Sequence, residues 1–410
     1  HQVKISKADN IDRHLIKNLQ KHLEDFRLLN LFANVYFAIF EFALGLYVIY
    51  LGGNSLDVGI AYAVYNVSWI AFMPFSRSLS SSANVRRSLL AGFLILFLGL
   101  FTFSVFKIPD LYLSVFLMGF SSSIVSASML YLVGFSGGYR DANAYAQLMY
   151  YGILGSGIGA FIGFIFFLYS QFSGRYVFSL RITFLIYSFM VLVAVILAAK
   201  IRISSINAVY YEIKERESGS TILHLLILAS TAFLGIGQGI VYPMIVPFVV
   251  TKYRTTPLIL MLAYAPAGIG WFISSKIAGP VINRFSESRS IAFITLTSSI
   301  IAFLLPLSPD LIVLSILWGI EAVGLSIWTV YMQHMVAKYM PSERWGTGFG
   351  SLNSMYYLSY AVGSISGSSL YFFRNPFFAF WTGGLFFLLI PVPVVLLLSM
   401  KNNKKSALYK

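Results

Sequence analysis

Glu41 and Glu321 are the residues best placed to do chemistry in this chain. Each stands alone in an oily run: Glu41 within FAIFEFALGLY (Phe37 to Tyr47), Glu321 within LWGIEAVGLSIW (Leu317 to Trp328). An acid at the centre of a bilayer costs roughly 2.5–3.5 kcal/mol on insertion scales. Such a group is expected to face protein or water and to serve a function. Two chemistries suit it: taking up and releasing a proton, or binding a cationic or hydroxylated solute. The plainer alternative is that each acid stays protonated and hydrogen-bonds a neighbouring helix.

The rest of the reactive inventory is thin. With no cysteine, the chain has no disulfides, thiolate nucleophiles, iron–sulfur clusters or zinc knuckles. His1, His14, His22, His224 and His334 are scattered without ligand spacing, so neither a metal nor a cofactor is expected. No glycine loop ends in Lys-Ser/Thr, which argues against nucleotide hydrolysis by the chain itself. The acids are isolated, and no loop holds two at magnesium spacing. An integral membrane enzyme, such as a lipid-modifying transferase, is therefore only a remote alternative, and the expectation is that this is not an enzyme.

Composition says what must position the two acids. Of 410 residues, 58% are hydrophobic and 11% charged, where a soluble domain carries about 25% charged residues. So few polar side chains suit a surface solvated mostly by lipid. Twelve apolar stretches approach the roughly 20 residues needed to span hydrocarbon; serine and glycine dilute the fourth and fifth. The short alternating segments of a β-barrel are absent. Lys and Arg concentrate in every second connection and in both terminal segments, which puts both termini in the cytoplasm. The net charge of +14 then faces anionic headgroups, so nucleic acid is not an expected partner.

The longest connection, KIRISSINAVYYEIKERESGS, falls midway. The expected organisation is a cytoplasmic amphipathic segment (1–27), a six-helix bundle (28–199), a cytoplasmic linker (200–220), a second six-helix bundle (221–399) and a cytoplasmic tail (400–410). The bundles echo each other: Arg140 pairs with Arg344, Gly159 with Gly363 and Gly163 with Gly367 at one common offset. The glycines form small-xxx-small stripes, whose expected role is close helix packing in lipid. The fold class is thus all-α integral membrane, with twelve transmembrane helices in two pseudo-symmetric six-helix bundles. Paired repeats of this kind are the architecture of secondary transporters.

Over essentially its whole length the chain resembles the major facilitator superfamily. The best local match is GPVINRFSESR between helices eight and nine, where Gly279, Arg284 and Arg289 fit the family's loop signature. Asn283 stands where an aspartate is usual, and Ser286 replaces the second glycine. The equivalent first-half loop, SRSLSSSANVRR, keeps the basic end, Arg86 and Arg87. In the family this loop helps latch the outward-facing state, so the resemblance makes these residues a gating loop whose latch here is weaker or built differently. The drug-antiporter subgroup's arginine in helix four and Gly-Pro in helix five are both missing.

The resemblance also implies that helices one, four, seven and ten line a central cavity. Glu41 then falls in helix one and Glu321 in helix ten, as proton-coupling or substrate residues. Their expected companions are Asn34 in helix one, Ser122 and Ser126 in helix four, Gln238 and Tyr242 in helix seven, Trp318 and Trp328 in helix ten, and Asn353 in helix eleven. Aromatic faces beside amides and hydroxyls suit an organic solute with both apolar and polar surface. The alternative for Trp318 and Trp328 is plain packing. The expected function is a secondary active transporter of a small organic solute in the cytoplasmic membrane. It would work by alternating access, proton-coupled and as a monomer, with membrane lipids around it. Efflux of amphipathic compounds ranks slightly ahead of uptake, by symport or facilitation, of a neutral metabolite or sugar.

Overall fold

A computed structural model describes residues 24–71, 82–133, 142–200, 221–284, 287–339 and 345–396. The expected amphipathic segment, linker and tail lie almost wholly outside them. The first span, Glu24–Tyr50, is helical over 24–33, turns at 34–36 and resumes as α1 (Phe37–Tyr50). There follow α2 (Ser55–Ala71), α3 (Ser82–Val105), α4 (Leu111–Val133), α5 (Ala142–Ser173) and α6 (Tyr176–Lys200). The second half holds α7 (Thr221–Tyr253), α8 (Pro257–Arg284), α9 (Glu287–Leu304), α10 (Leu311–Tyr339), α11 (Trp345–Phe373) and α12 (Pro376–Leu389). The described residues contain no strand. Helices are what lipid demands of a single segment, because they pair every backbone group internally.

Among the described residues, nine helices are long and apolar enough to span a membrane. Those of α4 and α5 are included despite their serines and glycines. The span of α11 is not, although α11 runs 29 residues: the repeated Ser, Gly and Tyr of SLNSMYYLSYAVGSISGSS lower its hydropathy. Large apolar side chains stand on the outer surface, such as Phe172 at 84% and Phe293 at 73% exposed. That is how a lipid-facing surface reads.

Local chemistry sets the corners. Gly52 adopts φ +90° between α1 and α2, a conformation that costs a side-chain-bearing residue more. Asn54 then caps α2, its Oδ1 accepting from the Leu56 N–H, while Asp57 Oδ2 accepts from the Asn54 N–H. This is a reciprocal capping box. Asn375 caps α12 in the same way by accepting from the Phe378 N–H, with Pro376 at the first helical position.

Contacts divide the chain into two compact units. The first is His1–Glu41, Ala71–Phe166 and Phe178–Tyr210; the second is Phe42–Ile70, Phe167–Val177 and Tyr211–Lys410. The boundary runs through α1 immediately after Glu41. The second unit thereby takes in α2, the end of α1 and the α5–α6 corner.

Within the first unit, α5 lies against the first span through its glycine stripe. A Cβ on Gly155 would overlap the Leu31 carbonyl, and one on Gly159 the Val35 carbonyl. The Tyr187 hydroxyl of α6 donates to the Gly159 carbonyl at 2.6 Å. Within the second unit, Gly363 and Gly367 of α11 press in the same way on the Ile236 and Ile240 backbone of α7. Both stripes therefore serve close packing. Gly59 of α2 has no room for a side chain beside Ser364 and Ser368 of α11. Serines bind neighbouring helices through their carbonyls: Ser230 to Ile390, Ser299 to Gly384 and Ser315 to Ala263.

Candidate functional site

In the first unit the polar residues gather where the first span breaks. Residues 34–36 leave the helix with neither proline nor glycine to force it. The cause is Asn34. Its Nδ2 donates to the Asn30 carbonyl at 2.8 Å, the oxygen its own backbone N–H would take in an unbroken helix. The Asn34 N–H reaches instead to the Leu31 carbonyl at 3.2 Å, and Ser156 Oγ of α5 donates to the Asn34 carbonyl at 3.1 Å. Short side-chain amides compete with the helix in this way. The last residue of the break, Tyr36, is buried with its hydroxyl 2.6 Å from Ser122 Oγ of α4. Ser122 Oγ donates to the Met118 carbonyl at 2.7 Å, so Tyr36 is the donor between the two. Ser126 lies one turn along, half-buried. Glu41 closes the unit, half-buried in α1.

In the second unit α10 carries Glu321 on its most buried face. The residue is 0% exposed, and neither carboxylate oxygen has a hydrogen-bond partner among the described residues. Leu314, Leu325 and Met332 are buried on the same side of α10. Next to the acid, Gly324 lies against Ser298 of α9, which is also fully buried, its hydroxyl without a partner among the described residues. Trp328 is 0% exposed, stacks on Tyr331 at 5.5 Å and has no partner for its indole N–H among the described residues. Its surroundings are those of a packing residue.

Trp318, one turn before Glu321, opens a different neighbourhood. Its ring meets Tyr264 of α8 at 3.8 Å between centroids and Tyr242 of α7 at 6.3 Å. Phe42, from the end of α1, lies on the other side of Tyr264 at 4.9 Å. One turn from Tyr242 on α7, Gln238 accepts from the Tyr356 hydroxyl of α11 at 2.6 Å. Tyr357 stacks on Trp69 of α2 at 4.7 Å. Tyr242, Tyr264, Tyr356, Tyr357 and Trp69 are all half-buried. Gln238, Tyr242 and Trp318 were expected here from sequence; Tyr264, Tyr356, Tyr357 and Trp69 were not. Asn353 is exposed on α11, outside these contacts.

The expected gating residues are placed on helices. Gly279, Asn283 and Arg284 fall in the last turns of α8 and Arg289 near the start of α9, with side chains outside the described residues. Arg86 and Arg87 lie inside α3, beyond the first-half loop itself. Arg86 reaches across to α6, donating from Nη2 to the Ala199 carbonyl at 2.6 Å. It thus satisfies a carbonyl in a helix's last turn, which has no partner within its own helix. Arg86→Ala is expected to lower the melting temperature by a few degrees, since a hydrogen bond from a charged donor contributes about 1.5–3 kcal/mol. Differential scanning fluorimetry of the purified protein checks this.

The sequence model of the Major Facilitator Superfamily matches residues 227–408, from within α7 to the C-terminal tail. The likeness to that family in sequence is confined to this stretch, less than half of the chain. No curated protein matches it in sequence. Among solved structures, that of a D-xylose–proton symporter is similar with a TM-score of 0.70 and 12% identity, over 90% of this chain and 95% of the other. A crystal structure of the nucleoside transporter NupG gives 0.64 and 14%, over 93% and 98%. One titled for substrate recognition in proton-dependent oligopeptide transporters gives 0.66 and 13%, over 92% and 96%. The likeness therefore extends the fold across the half that the family match leaves out.

Proposed function

We propose that the chain is a secondary transporter of the Major Facilitator Superfamily, not an enzyme, and that it takes up a small neutral organic solute across the cytoplasmic membrane by proton-coupled alternating access. It has cytoplasmic termini and works as a monomer. The observation that carries the reading is Glu321, a fully buried carboxyl with no partner for either oxygen among the described residues. An unpaired charge in such a place is costly, whereas the protonated acid is tolerated. A side chain with that preference suits a proton that must be held in one state of a cycle and released in another. Glu41, half-buried in α1, is the second coupling candidate.

Efflux of amphipathic compounds drew its sequence support from aromatic side chains. In the second unit those rings stand among an amide and phenols, which favours a neutral polar solute and hence uptake. Proteins of similar fold are titled as a D-xylose–proton symporter and as proton-dependent oligopeptide transporters, and they motivate proton coupling here. Asn34, Ser122 and Ser126 are proposed as the first unit's contribution to the solute, and residues 279–289 with Arg86 and Arg87 as parts of the gate.

The test is uptake into liposomes holding the purified protein, with D-xylose, uridine and a dipeptide as labelled solutes. At least one is expected to accumulate above its external concentration when the outside is acidic, and to fall to equilibrium when a protonophore is added. Equilibration without accumulation, indifferent to the gradient, would leave a facilitator and remove the coupling.

A further inference from the structure

Glu321 is one of three buried polar groups along the contact of α9 with α10 that lack a hydrogen-bond partner among the described residues. The others are the Ser298 hydroxyl of α9 and the Trp328 indole N–H, and all three residues are 0% exposed. Buried polar groups are as a rule hydrogen-bonded, and several exceptions side by side point to a small polar molecule that joins them. On α10, Glu321, Gly324 and Trp328 follow at three and four residues, which puts them on one face. Ser298 lies across from Gly324.

Gly324 differs from the glycines that bring helices together. A Cβ added at Gly155, Gly159, Gly363 or Gly367 would run into backbone. One at Gly324 would lie 3.3 Å from Ser298 Oγ, 3.6 Å from Ile294 Cγ2 and 3.9 Å from the Ile294 carbonyl oxygen. The missing side chain thus leaves room for one methyl-sized group with a hydroxyl at its edge. A water molecule is of that size, and in that place it is within hydrogen-bond reach of Ser298 Oγ. Gly324 is only half-buried, so the space is not sealed. The chemistry selects water over a metal cation. A cation held by the carboxyl and the hydroxyl would leave the indole N–H unmet, because that group only donates; water both donates and accepts.

We infer that water lodged beside Gly324 and bonded to the Ser298 hydroxyl carries the proton to and from Glu321, which makes Ser298 a relay residue between α9 and α10. Only O–H bonds form and break. The carboxyl gives its proton to water, a proton passes along the Ser298 hydroxyl and further water, and it leaves to the solvent as hydronium; reprotonation runs in reverse. The inference rests on the reading of Glu321 as a coupling acid, and it names the route that serves that acid.

Infrared spectroscopy of the purified full chain at neutral pH tests it with neither solute nor gradient. The C=O stretch of protonated Glu321 is the band that Glu321→Gln removes, and transfer into D2O shifts it. In the parent the shift is expected to finish well before the buried backbone amides exchange. Gly324→Ala sets a methyl where the water lies, and Ser298→Ala deletes the hydroxyl. Each is expected to slow the shift about tenfold, the worth of one lost hydrogen bond. Both variants are expected to melt within a few degrees of the parent. A clear rise for Ser298→Ala would show instead a dry hydroxyl whose removal relieves the fold. No such band, a band still unshifted once the amides have exchanged, the parent's rate in either variant, or that rise in melting temperature would each overturn the assignment. The measurement involves no transport, so fast and variant-sensitive exchange beside uptake without protons would keep the relay and remove the coupling.

Discussion

Glu321→Gln in the full chain is expected to abolish gradient-driven accumulation while leaving solute exchange across the membrane within about threefold of the parent. Glutamine is nearly the same size and is neutral, so it reproduces the protonated acid and cannot release the proton. Because Glu321 is fully buried among apolar neighbours on α10, the variant is also expected to fold, with a melting temperature equal to or above that of the parent. Replacing a buried ionisable group by a neutral one of like shape removes a desolvation liability. The decisive comparison is between accumulation and counterflow in the same liposomes. Loss of both would assign Glu321 to the fold or to the solute; retention of both would assign it to packing. Glu41→Gln, tested in parallel, shows whether one acid or two carry the proton.

The second large effect belongs to the glycine stripe of α5. Gly159→Ala is expected to cost at least about 2 kcal/mol, because the new methyl would overlap a backbone carbonyl that cannot swing aside. The carbonyl is that of Val35, in the turn where the first span breaks. Gly157, two residues earlier on the same helix, has nothing within 4 Å of an added Cβ, so Gly157→Ala should stay within about 0.5 kcal/mol of the parent. The pair separates close packing from helix propensity, since both changes gain the same propensity. Thermal unfolding and the yield of monodisperse protein in detergent measure the contrast. Equal stability of the two variants would mean that α5 and the first span do not meet at Gly159.

The parts of the fold that show in sequence are those set by solvent and by bulk. Long apolar runs become helices because lipid leaves no alternative, and the glycines of α5 and α11 become close contacts because nothing else fits there. Glu41 and Glu321 stand out for the same reason, as charges in the wrong solvent. Specific pairing is harder to see. Asn34 breaks a span without proline or glycine, through an amide that competes for a carbonyl four residues back; an asparagine inside an apolar run carries no such label. Tyr356 and Tyr264 look like any core aromatic until Gln238 and Trp318 are set beside them. Trp328 shares a helical face with Trp318, yet it is sealed against Tyr331. Period alone cannot tell a ring that meets aromatics of two other helices from one that stacks on its own helix. The division after Glu41 follows from contacts between distant segments, which composition does not record.

The most direct test of the central claim is the proton itself. Liposomes holding the parent protein are suspended in weak buffer with no imposed gradient, and a neutral solute that the protein binds is added outside while external pH is recorded. The expected result is alkalinisation that begins with solute entry, scales with it at a fixed ratio, and is absent with Glu321→Gln. Solute entry with no change in external pH, in protein shown to be active by counterflow, would contradict proton coupling and with it the role assigned to the buried acid.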